Sequence, residues 1–506
     1  MLFIGQPQGL KMIKKKIIPI VICGGFGTRL WPISRKMIPK PFINNGQNKN
    51  FFSQTLLRLR STKNIFKVKN KPLIVVVTNK EHYFLAKDNF DQEKYEVFFF
   101  LEPLSKNTTA AIISSSLGIK IILKSKYQIE NDIDLLICPA DHVIPDIEYF
   151  KKTISDAYNF SKDHSGHIVF GIVPRKPDIN YGYIKVASNS LKSNIFNVKK
   201  FVEKPSMEVA KKFIKSKYMF WNSGIFFFNL EFLLNDFKLH NKKIFNSIEK
   251  LFTCNDSNVI NNDYFLFDEK IFTKIQDISI DYSLMEKSDK IFLIRFDSEW
   301  NDIGNINQYK TLFPADDHDN YFLSDKNLYL DECNNTFIHS AERFVACIGL
   351  ENMNIIDNDD SLLIMNSKLD STYVKNLTNY LKKTSRNDLL NNSKFHKRPW
   401  GSFQNLAFGP NFKIKIITVN PDCSLSLQSH KYRSEHWVVI QGEALVVNNN
   451  DTFVIKINES TFIPKKSKHR LSNPSNKNIL KLVEIQTGTY LEEDDIKRYI
   501  DNYGRT

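Results

Sequence analysis

The sequence predicts an α/β fold, in which a domain with a mixed, mainly parallel sheet is followed by a small β-coil spacer and a C-terminal all-β barrel. Three observations predict it. Short apolar runs with strand character alternate with helical spacing in the first part of the chain, which is typical of a parallel sheet covered by helices. From about residue 316, brief strand-like runs are separated by Asn/Asp-rich turns. From residue 412, an alternating run opens a region of β pattern.

Composition limits the class of protein. A chain of 506 residues is too long for one core, and 42% hydrophobic residues can fill several. The net charge of +15 comes from lysines scattered along the chain without a long basic tract, so no nucleic-acid partner is predicted. Because no apolar run reaches the roughly 20 residues of a membrane span, no membrane insertion is predicted. The six cysteines form no CxxC pair, which predicts reduced thiols and a cytoplasmic protein; they are Cys23, Cys138, Cys254, Cys333, Cys347 and Cys423.

The pattern divides the chain into four parts. They are a disordered extension (1–16), the α/β domain (17–315), a β-helix-like spacer of short strands with one helix (316–386), and the all-β domain (387–506). The extension ends in three lysines directly before the first strand, and either Met1 or Met12 is the start. Residues 372–383 have the spacing of an amphipathic helix, and 387–393 are predicted to be a polar hinge.

A glycine-rich loop follows the first predicted strand, Ile17–Cys23. In the loop sequence GGFGTR, three glycines let the backbone approach a phosphate chain closely, and Arg29 adds a planar fork suited to phosphate oxygens. Lys40 is a compact cation that can meet a second anionic group. An ordinary tight turn is the alternative, since the loop is neither a Walker loop nor a GxGxxG fingerprint.

The longer string from Val21 to Phe42 resembles the signature of sugar-1-phosphate nucleotidylyltransferases. Its continuation LWPISR resembles the mannose-1-phosphate guanylyltransferase branch, although Pro41 stands where that branch usually has Gln. The resemblance implies a Rossmann-like nucleotidyltransferase domain that uses GTP. It assigns catalytic roles to Arg29 and Lys40, and nucleotide binding to Gly24, Gly25, Gly27 and Thr28.

Further strands are predicted at residues 71–78 and 97–101, with a helix over 108–124. The loop between the second of these strands and the helix holds Glu102, Asn107 and Thr108. One interpretation is a helix entry capped by Asn107 or Thr108. The family resemblance adds nucleotide binding through contact with the guanine base.

Two aspartates are predicted to bind Mg²⁺. Asp141 follows a buried strand, Asp134–Cys138, and so lies where open α/β sheets place their ligands. Asp302 follows another strand, Ile291–Phe296, in a segment that resembles the family's second metal-binding motif. Mg²⁺ takes hard oxygen ligands, usually one or two carboxylates together with substrate phosphates. The alternative for each aspartate alone is a turn or cap residue.

Three later motifs occur in the order of the family's sugar-binding motifs. They are YGYI, FVEKP and WNSGI, and the resemblance assigns sugar binding to Gly182, Glu203, Lys204, Asn222 and Gly224. As plain structure they are strand ends and turns, with Ser206 capping a helix. Asp281 is predicted to be a neighbour of this site.

The all-β region contains a second group of candidate metal ligands. Gln428 and His430 lie on one face of a strand because side chains two apart point the same way. If a turn returns Glu435 and a later strand supplies His469, two nitrogens and two oxygens converge, which suits Zn²⁺, Co²⁺ or another divalent transition metal better than Ca²⁺. The alternative is a barrel with a few satisfied polar core residues.

The order of these ligands resembles the two-motif pattern of cupins, and the flanking KRPWG and DDIKRY segments resemble type II phosphomannose isomerases. The resemblance makes Arg498 the catalytic partner of the substrate phosphate or the enediolate. Lys466 stands where the family usually has Gly, so the turn before His469 must be made by a non-glycine residue at positive φ.

Taken together, the resemblance implies transfer of GMP from GTP to mannose 1-phosphate and a metal-dependent isomerisation of mannose 6-phosphate and fructose 6-phosphate. The implied partners are GTP and mannose phosphates, with homo-oligomer formation left open. Two alternatives remain. The first domain acts on another sugar 1-phosphate or nucleotide, or the cupin domain only binds a sugar phosphate and regulates.

Overall fold

The computed structural model describes residues 15–25, 27–46, 49–129, 132–192, 194–252, 263–391 and 395–501, with no side-chain description for Phe395. Most of the predicted N-terminal extension and Cys254 lie outside the described residues. The chain divides into two compact units, unit 1 with residues 1–30 and 39–314 and unit 2 with residues 31–38 and 315–506.

Unit 1 is built on a mixed sheet, as predicted, in which one run of neighbouring strands is parallel. Its described strands are β1 (Lys16–Cys23), β2 (Lys67–Val68), β3 (Lys71–Asn79), β4 (Glu96–Glu102), β5 (Ile133–Pro139), β6 (His167–Ile172), β7 (Tyr183–Lys192), β8 (Ile195–Val202), β9 (Met219–Asn229), β10 (Tyr264–Leu266) and β11 (Ile291–Phe296). Their order is β10-β4-β3-β1-β5-β9-β6-β11-β8-β7, with β2 beside β3. The pairs from β10 to β5 are parallel, while β9 runs antiparallel to β5 and β6.

The parallel register places the predicted loops at one edge of the sheet. Cys23 pairs with Thr78, and Asn79 pairs with Glu102 on the next strand. On the other side of β1, Ile22 pairs with Pro139. The glycine loop, Glu102 and Asp141 therefore all follow the carboxyl ends of neighbouring parallel strands, where such sheets bind ligands.

Helices cover this sheet and bury its apolar residues. The described helices of unit 1 are α1 (Phe51–Arg60), α2 (Tyr83–Lys87), α3 (Thr108–Tyr127), α4 (Ile147–Phe160), α5 (Met207–Phe213), α6 (Leu230–His240), α7 (Lys242–Glu249), α8 (Glu269–Phe272) and α9 (Ile306–Lys310). Asn107 caps α3 and Ser206 caps α5 through their side-chain oxygens, as predicted. Within the described residues, no helix combines the length and the apolar character needed to cross a membrane.

The spacer in unit 2 is a coil of short strands. They are β12 (Tyr321–Phe322), β13 (Leu328–Asp331), β14 (Phe337–His339), β15 (Val345–Ile348), β16 (Met353–Asn358) and β17 (Ser361–Asn366). The pairs β12–β14, β14–β16 and β13–β15 are parallel, so successive turns of the coil stack. A small core of Cys333, Ile338, Cys347 and Ile355 fills it.

Two helices follow the spacer. Helix α10 (Ser371–Lys383) confirms the predicted amphipathic helix, with Val374 and Leu381 buried. The predicted polar hinge over 387–393 is wrong for its described part, because Asp388–Asn391 forms a short helix, α11. Its last carbonyls accept hydrogen bonds from the backbone of Lys36 and Met37, which are distant in sequence.

The C-terminal region is all-β, as predicted for a cupin barrel. One antiparallel sheet holds β18 (Phe395–Arg398), β19 (Gly401–Gly409), β20 (Phe412–Val419), β27 (Leu480–Gly488), β22 (Arg433–Gln441) and β25 (Ser460–Ile463). The other holds β24 (Asp451–Ile455), β23 (Ala444–Asn448), β26 (His469–Ser472), β21 (Leu427–His430) and β28 (Ile496–Ile500). Apolar residues of both sheets, among them Val419, Trp437 and Leu471, form one buried cluster.

Candidate active sites

The glycine loop after β1 contains two glycines at positive φ. Gly25 and Gly27 have φ values of 88° and 62°, in the left-handed region that favours glycine. A side chain at Gly25 would meet no atom within 4 Å, so conformation rather than crowding calls for glycine there. A single 3-10 turn over Thr28–Leu30 follows and leaves Arg29 exposed.

The end of β4 carries a buried carboxylate, and the loop after it leads to Asn107 and Thr108 at the start of α3. Glu102 is buried, and its Oε1 has no hydrogen-bond partner among the described residues. Burial raises its pKa to about 8, although nearby Lys106 opposes the shift. Asn107 accepts from the N–H of Thr108, and Thr108 Oγ1 accepts from the N–H of Ile280 at 2.9 Å. These two side chains therefore hold the loop in place.

Lys40 connects the two aspartate loops. It opens a short 3-10 turn, and its buried Nζ lies 2.8 Å from Asp141 Oδ2 and donates to the backbone carbonyl of Asp302. The two loops are also joined by backbone hydrogen bonds of 2.9 and 3.1 Å between Val143 and Asn301. Burial opposes ionisation of Asp141, but the charge and the hydrogen bond of Lys40 outweigh it and hold the pKa of this carboxyl below its usual range.

The side chain of Asp302 is fixed by residues that the sequence did not reveal. Tyr181 donates its hydroxyl to Asp302 Oδ1 at 2.7 Å, and Gln308 Nε2 donates to the same hydroxyl at 3.1 Å. Ile303, the next residue, has a φ of 45°, which is rare for a β-branched residue. A strained residue directly after a candidate metal ligand is consistent with a constrained site.

An aromatic cluster lines the region between the metal and sugar residues. The ring of Tyr181 lies 4.9 Å from that of Trp221 and 5.4 Å from that of Trp300. Trp300 Nε1 donates to His142 Nδ1 at 3.3 Å, while burial lowers the pKa of His142 to about 4 and keeps it neutral. The buried Trp221 Nε1 has no hydrogen-bond partner among the described residues, so a donor remains for a ligand hydroxyl.

The structure brings most of the predicted sugar residues together. Asn222 donates its backbone N–H to the carbonyl of Gly182 at 2.8 Å and its Nδ2 to Asp281 at 2.8 Å. A side chain at Gly182 would meet the end of the Glu203 side chain, so these two predicted sugar residues lie against each other. Glu203 in turn pairs with Lys204 Nζ at 2.8 Å.

Asp281 and Gly224 complete this region. Burial, and then repulsion from Glu203, raises the pKa of Asp281 to about 6. Gly224 has a φ of 69°, and a Cβ there would lie 3.8 Å from His142, so the predicted sugar loop adjoins the Asp141 loop.

In unit 2, three predicted metal ligands converge between the two sheets. His430 on β21, Glu435 on β22 and His469 on β26 are buried, and each offers one ligand atom within 4.8 Å of the others. His430 Nε2 lies 3.1 Å from Glu435 Oε1, and His469 Nε2 lies 3.6 Å from Glu435 Oε2. Gln428, the fourth predicted ligand, lies beside this cluster, with its amide Nε2 3.4 Å from His430 Nε2 and its Oε1 accepting from Ser426 Oγ at 2.9 Å.

The tautomer of His469 is set by its neighbour. Its Nδ1 lies 3.0 Å from the carbonyl of Ser467, which can only accept, so the proton is on Nδ1. The buried Nε2 then carries the lone pair and has no hydrogen-bond partner among the described residues. This is the arrangement of a metal-binding imidazole.

Further buried polar residues orient Glu435. Trp437 Nε1 donates to Glu435 Oε2 and to Glu484 Oε2, both at 3.2 Å. Gln486 Nε2 donates to Glu435 Oε1 at 3.2 Å and to Glu484 Oε1 at 2.8 Å. Burial and the charge of Glu435 raise the pKa of Glu484, whereas the hydrogen bond with His430 and the charge of Arg433 overcome burial and lower the pKa of Glu435.

Two of the predicted metal ligands, Gln428 and Glu435, line a cavity whose walls carry both basic and acidic side chains. A small cavity of about 50 Å³ is lined by Gln428, Glu435 and Arg498, among others, and Arg498 stands opposite Gln428 in the strand register. A wider cavity of about 850 Å³ shares Arg398 and Lys415 with it. The wider volume is in the range of small-molecule sites.

The turn before His469 is made by the non-glycine residue, as predicted. Lys466 has a φ of 67°, and its N–H donates to the carbonyl of His430 at 2.7 Å. The replacement of glycine therefore leaves the turn formed and the two histidine strands connected.

Sequence reasoning missed several residues of these sites: Tyr181, Gln308, Lys415, Glu484 and Gln486. A usable signal existed for the last two. Glu484 and Gln486 lie on the same face of β27 as the buried Leu480 and Leu482. Polar side chains on the apolar face of a strand need a buried hydrogen-bond partner.

Known proteins resemble both units. Residues 18–318 match the nucleotidyl transferase family, and residues 384–501 match the mannose-6-phosphate isomerase C-terminal family. The alginate biosynthesis protein AlgA of Pseudomonas aeruginosa PAO1 is 34% identical over 496 residues, which cover 97% of this chain and 98% of that protein. A mannose-1-phosphate guanylyltransferase of Klebsiella pneumoniae is 33% identical over 493 residues, covering 97% and 100%.

A solved structure extends the similarity to the fold. A mannose-1-phosphate geranyltransferase from Thermus thermophilus is 25% identical with a TM-score of 0.60, covering 72% of this chain and 99% of that one. The xanthan biosynthesis protein XanB of Xanthomonas campestris pv. campestris is 33% identical over 491 residues, which cover 97% of this chain and 99% of that protein. The chain belongs to the family of nucleotidyl transferases that end in a mannose-6-phosphate isomerase C-terminal domain.

Proposed function

We propose that unit 1 transfers a guanylyl group from GTP to mannose 1-phosphate, giving GDP-mannose and pyrophosphate, and that unit 2 interconverts mannose 6-phosphate and fructose 6-phosphate. The first activity rests on Lys40, whose ammonium meets both aspartate loops at the carboxyl edge of the sheet. The second rests on the convergence of His430, Glu435 and His469. The activities for which the related proteins and families are named support both.

In the first reaction, a phosphate oxygen of mannose 1-phosphate attacks the α-phosphorus of GTP. The bond from that phosphorus to the bridging oxygen breaks, and pyrophosphate leaves. Such transfers depend on positioning and on stabilising negative charge. The N–H groups around Gly25 and Gly27 would cradle the triphosphate, and Arg29 and Lys40 would stabilise the charge on its oxygens. Trp221, Asn222 and Glu203 would hold the sugar hydroxyls.

Asp141 and Asp302 offer the donors that Mg²⁺ prefers. The fit is supported by the chemistry of this donor set, two carboxylates whose loops both contact the Lys40 ammonium. Mg²⁺, when bound there, supplies positive charge for the phosphates of both substrates. Tyr181 and Gln308 orient Asp302, and the Val143–Asn301 backbone pair keeps the two loops in register.

The donor set of unit 2 suits Zn²⁺, Co²⁺ or another divalent transition metal. The fit is supported by the unpartnered, buried Nε2 of His469. Gln428, His430, Glu435 and His469 would hold this metal, which would supply a Lewis acid for the carbonyl and hydroxyl oxygens at C1 and C2 of the sugar. Arg498 would hold the phosphate or the enediolate oxygens, and Trp437 and Gln486 keep Glu435 oriented.

Purified protein assayed with GTP, UTP and dTTP, each with mannose 1-phosphate or glucose 1-phosphate, tests the first activity. We expect GTP with mannose 1-phosphate to be the preferred pair. Conversion of mannose 6-phosphate in the presence of Zn²⁺ or Co²⁺ tests the second. Asp141→Ala should abolish only guanylyl transfer and His469→Ala only isomerisation, with exposed His436→Ala as the control. Preference for another nucleotide or sugar would overturn the first proposal.

The alternative for unit 2 is binding without isomerisation. The formed Lys466 turn and the intact ligand cluster favour the isomerase. Binding of mannose 6-phosphate without any fructose 6-phosphate, in protein loaded with each metal in turn, would favour the binding role.

A further inference from the structure

The sequence from Val21 to Phe42, which resembles the nucleotidylyltransferase signature, is divided between the two units. Residues 31–38, here called the linking segment, belong to unit 2, although the residues on both sides belong to unit 1. Arg29 lies two residues before the segment, and Lys40 lies two residues after it. The chain that joins the two cations of the proposed guanylyl transfer is therefore packed with the spacer and helix α11.

Arg35 is the centre of this packing. The residue is 3% exposed, and its Nη2 lies 2.6 Å from Asp360 Oδ1 and 2.7 Å from Ser361 Oγ. Its Nε donates to the carbonyl of Pro32 at 3.0 Å, and its charge lies 5.2 Å from the ring centroid of Trp31. One side chain thus joins the start of the linking segment to the turn between β16 and β17.

Backbone contacts hold the rest of the segment. Trp31 Nε1 donates to the carbonyl of Leu389 at 2.9 Å, and Asn358 Nδ2 donates to that of Pro32 at 2.6 Å. The N–H groups of Lys36 and Met37 donate to the first residues after Leu389, each at 2.9 Å. Arg35 and Ile38 also exchange backbone hydrogen bonds of 3.0 and 3.1 Å, so the segment turns tightly within itself.

A buried guanidinium is costly unless its partners offset the loss of water. A segment that only connected two parts of the chain would not need a buried guanidinium. A segment that must keep a single conformation benefits from the directional hydrogen bonds that a guanidinium makes. Because only one residue separates each end of the segment from a cation, its conformation limits where Arg29 and Lys40 stand with respect to each other.

We propose that Arg35 is a positioning residue for guanylyl transfer, which keeps Arg29 and Lys40 at their working separation through its bonds to Asp360 and Ser361. It does not contact the substrate. The inference rests on the guanylyltransferase activity proposed above. A misplacement of about 1 Å at a reacting centre can cost on the order of 100-fold in rate.

Steady-state kinetics of Arg35→Ala test this role. We expect kcat for guanylyl transfer to fall about 10- to 100-fold, with little change in KM for mannose 1-phosphate, because the sugar residues are not altered. Isomerase activity should stay near the wild-type value, which also reports that unit 2 is folded. The matched control is Arg343→Ala, an arginine on the same spacer whose exposed side chain pairs with Asp357 at 3.4 Å; both activities should be unchanged.

Asp360→Asn serves as the second variant, because it keeps the shape of the partner and removes only its charge. It should lower guanylyl transfer less than Arg35→Ala, and the double variant should be no worse than Arg35→Ala alone. If Arg35→Ala does not fold, the kinetics of Asp360→Asn alone test whether the Arg35–Asp360 pair positions the two cations.

Three results would overturn the proposal. Guanylyl transfer by Arg35→Ala equal to the Arg343→Ala control would exclude the positioning role while leaving the proposed function intact. Parallel loss of both activities with a lower unfolding temperature would show a purely structural arginine. Wild-type enzyme without guanylyl transfer, under conditions where its isomerase is active, would reject the proposed function and this inference with it.

Discussion

Glu102 is buried with one carboxylate oxygen unpaired among the described residues, and its pKa is raised to about 8. The folded state therefore holds this proton more tightly than the unfolded chain, in which Glu titrates near pH 4.3. Stability from this group is complete below that pH and is lost as the pH rises towards 8. The glutamine side chain that replaces Glu102 cannot ionise. At pH 8.5 we therefore expect the free energy of unfolding of the ligand-free Glu102→Gln variant to exceed that of wild type by on the order of a few kcal/mol, which raises its unfolding temperature.

Thermal unfolding at pH 5.5 and 8.5 measures this difference. Glu96→Gln, the same substitution at the first residue of β4, is the control and should follow the wild-type trend. If wild type and Glu102→Gln lose stability equally between the two pH values, the carboxylate is already ionised in the folded protein.

Lys40 supplies the one ammonium that meets both the Asp141 carboxylate and the Asp302 carbonyl in the described structure. Lys40→Ala removes a charge aimed at the reacting phosphates, so we expect kcat for guanylyl transfer to fall about 10²- to 10³-fold while isomerisation is unchanged. Lys80→Ala, which breaks a more exposed pair with Glu269, is the control for loss of a lysine in this unit. Full activity of Lys40→Ala would remove this residue from the reaction.

At the scale of elements, the turn before β26 carries measurable strain. Lys466 adopts a φ of 67° there, a region that costs a non-glycine residue about 1 kcal/mol or more. Lys466→Gly relieves that cost and keeps the N–H that donates to His430. Against this gain stands the greater freedom of glycine in the unfolded chain, about 0.5–1 kcal/mol, so we expect a small net stabilisation with isomerase activity retained.

Lys465→Gly is the matched control for this turn. Lys465 is exposed like Lys466 but is not among the residues at positive φ, so glycine there brings only the entropic cost and should destabilise the protein. Midpoints of thermal unfolding for the two variants should therefore move in opposite directions. A lower midpoint for both would show that the turn holds no relievable strain.

For the molecule as a whole, the sequence predicts helices and strands better than it predicts which distant side chains contact each other. Strands such as β1 and β5 are apolar along their length because both faces are buried, and this is visible in the sequence. The contact between Tyr181 and Asp302 spans 121 positions, and no local pattern encodes it. Alternation in β20 likewise predicts a strand without saying that Lys415 faces inward. Helix α11 is too short for periodicity, and its last carbonyls bond to the distant linking segment.

The two units have separate apolar cores and different donor sets, so the two activities should respond separately to metal ions. After exhaustive chelation both should be lost. Excess Mg²⁺ should then restore guanylyl transfer alone, because oxygen donors suit Mg²⁺, whereas isomerisation should return only with Zn²⁺, Co²⁺ or a similar ion that prefers nitrogen and oxygen together.

Unfolding of the chelated protein provides a readout independent of activity. An ion that binds only the folded cluster stabilises it by about 2.7 kcal/mol at 100 times its Kd, so added Zn²⁺ should raise the unfolding temperature of unit 2. The His469→Ala variant lacks the buried Nε2 and should lose this shift in unfolding temperature. His436 follows Glu435 in sequence but is exposed, so the His436→Ala variant should keep the shift. An equal shift in both variants would place the stabilising ion elsewhere, and return of isomerisation with Mg²⁺ alone would contradict the assigned ligand chemistry.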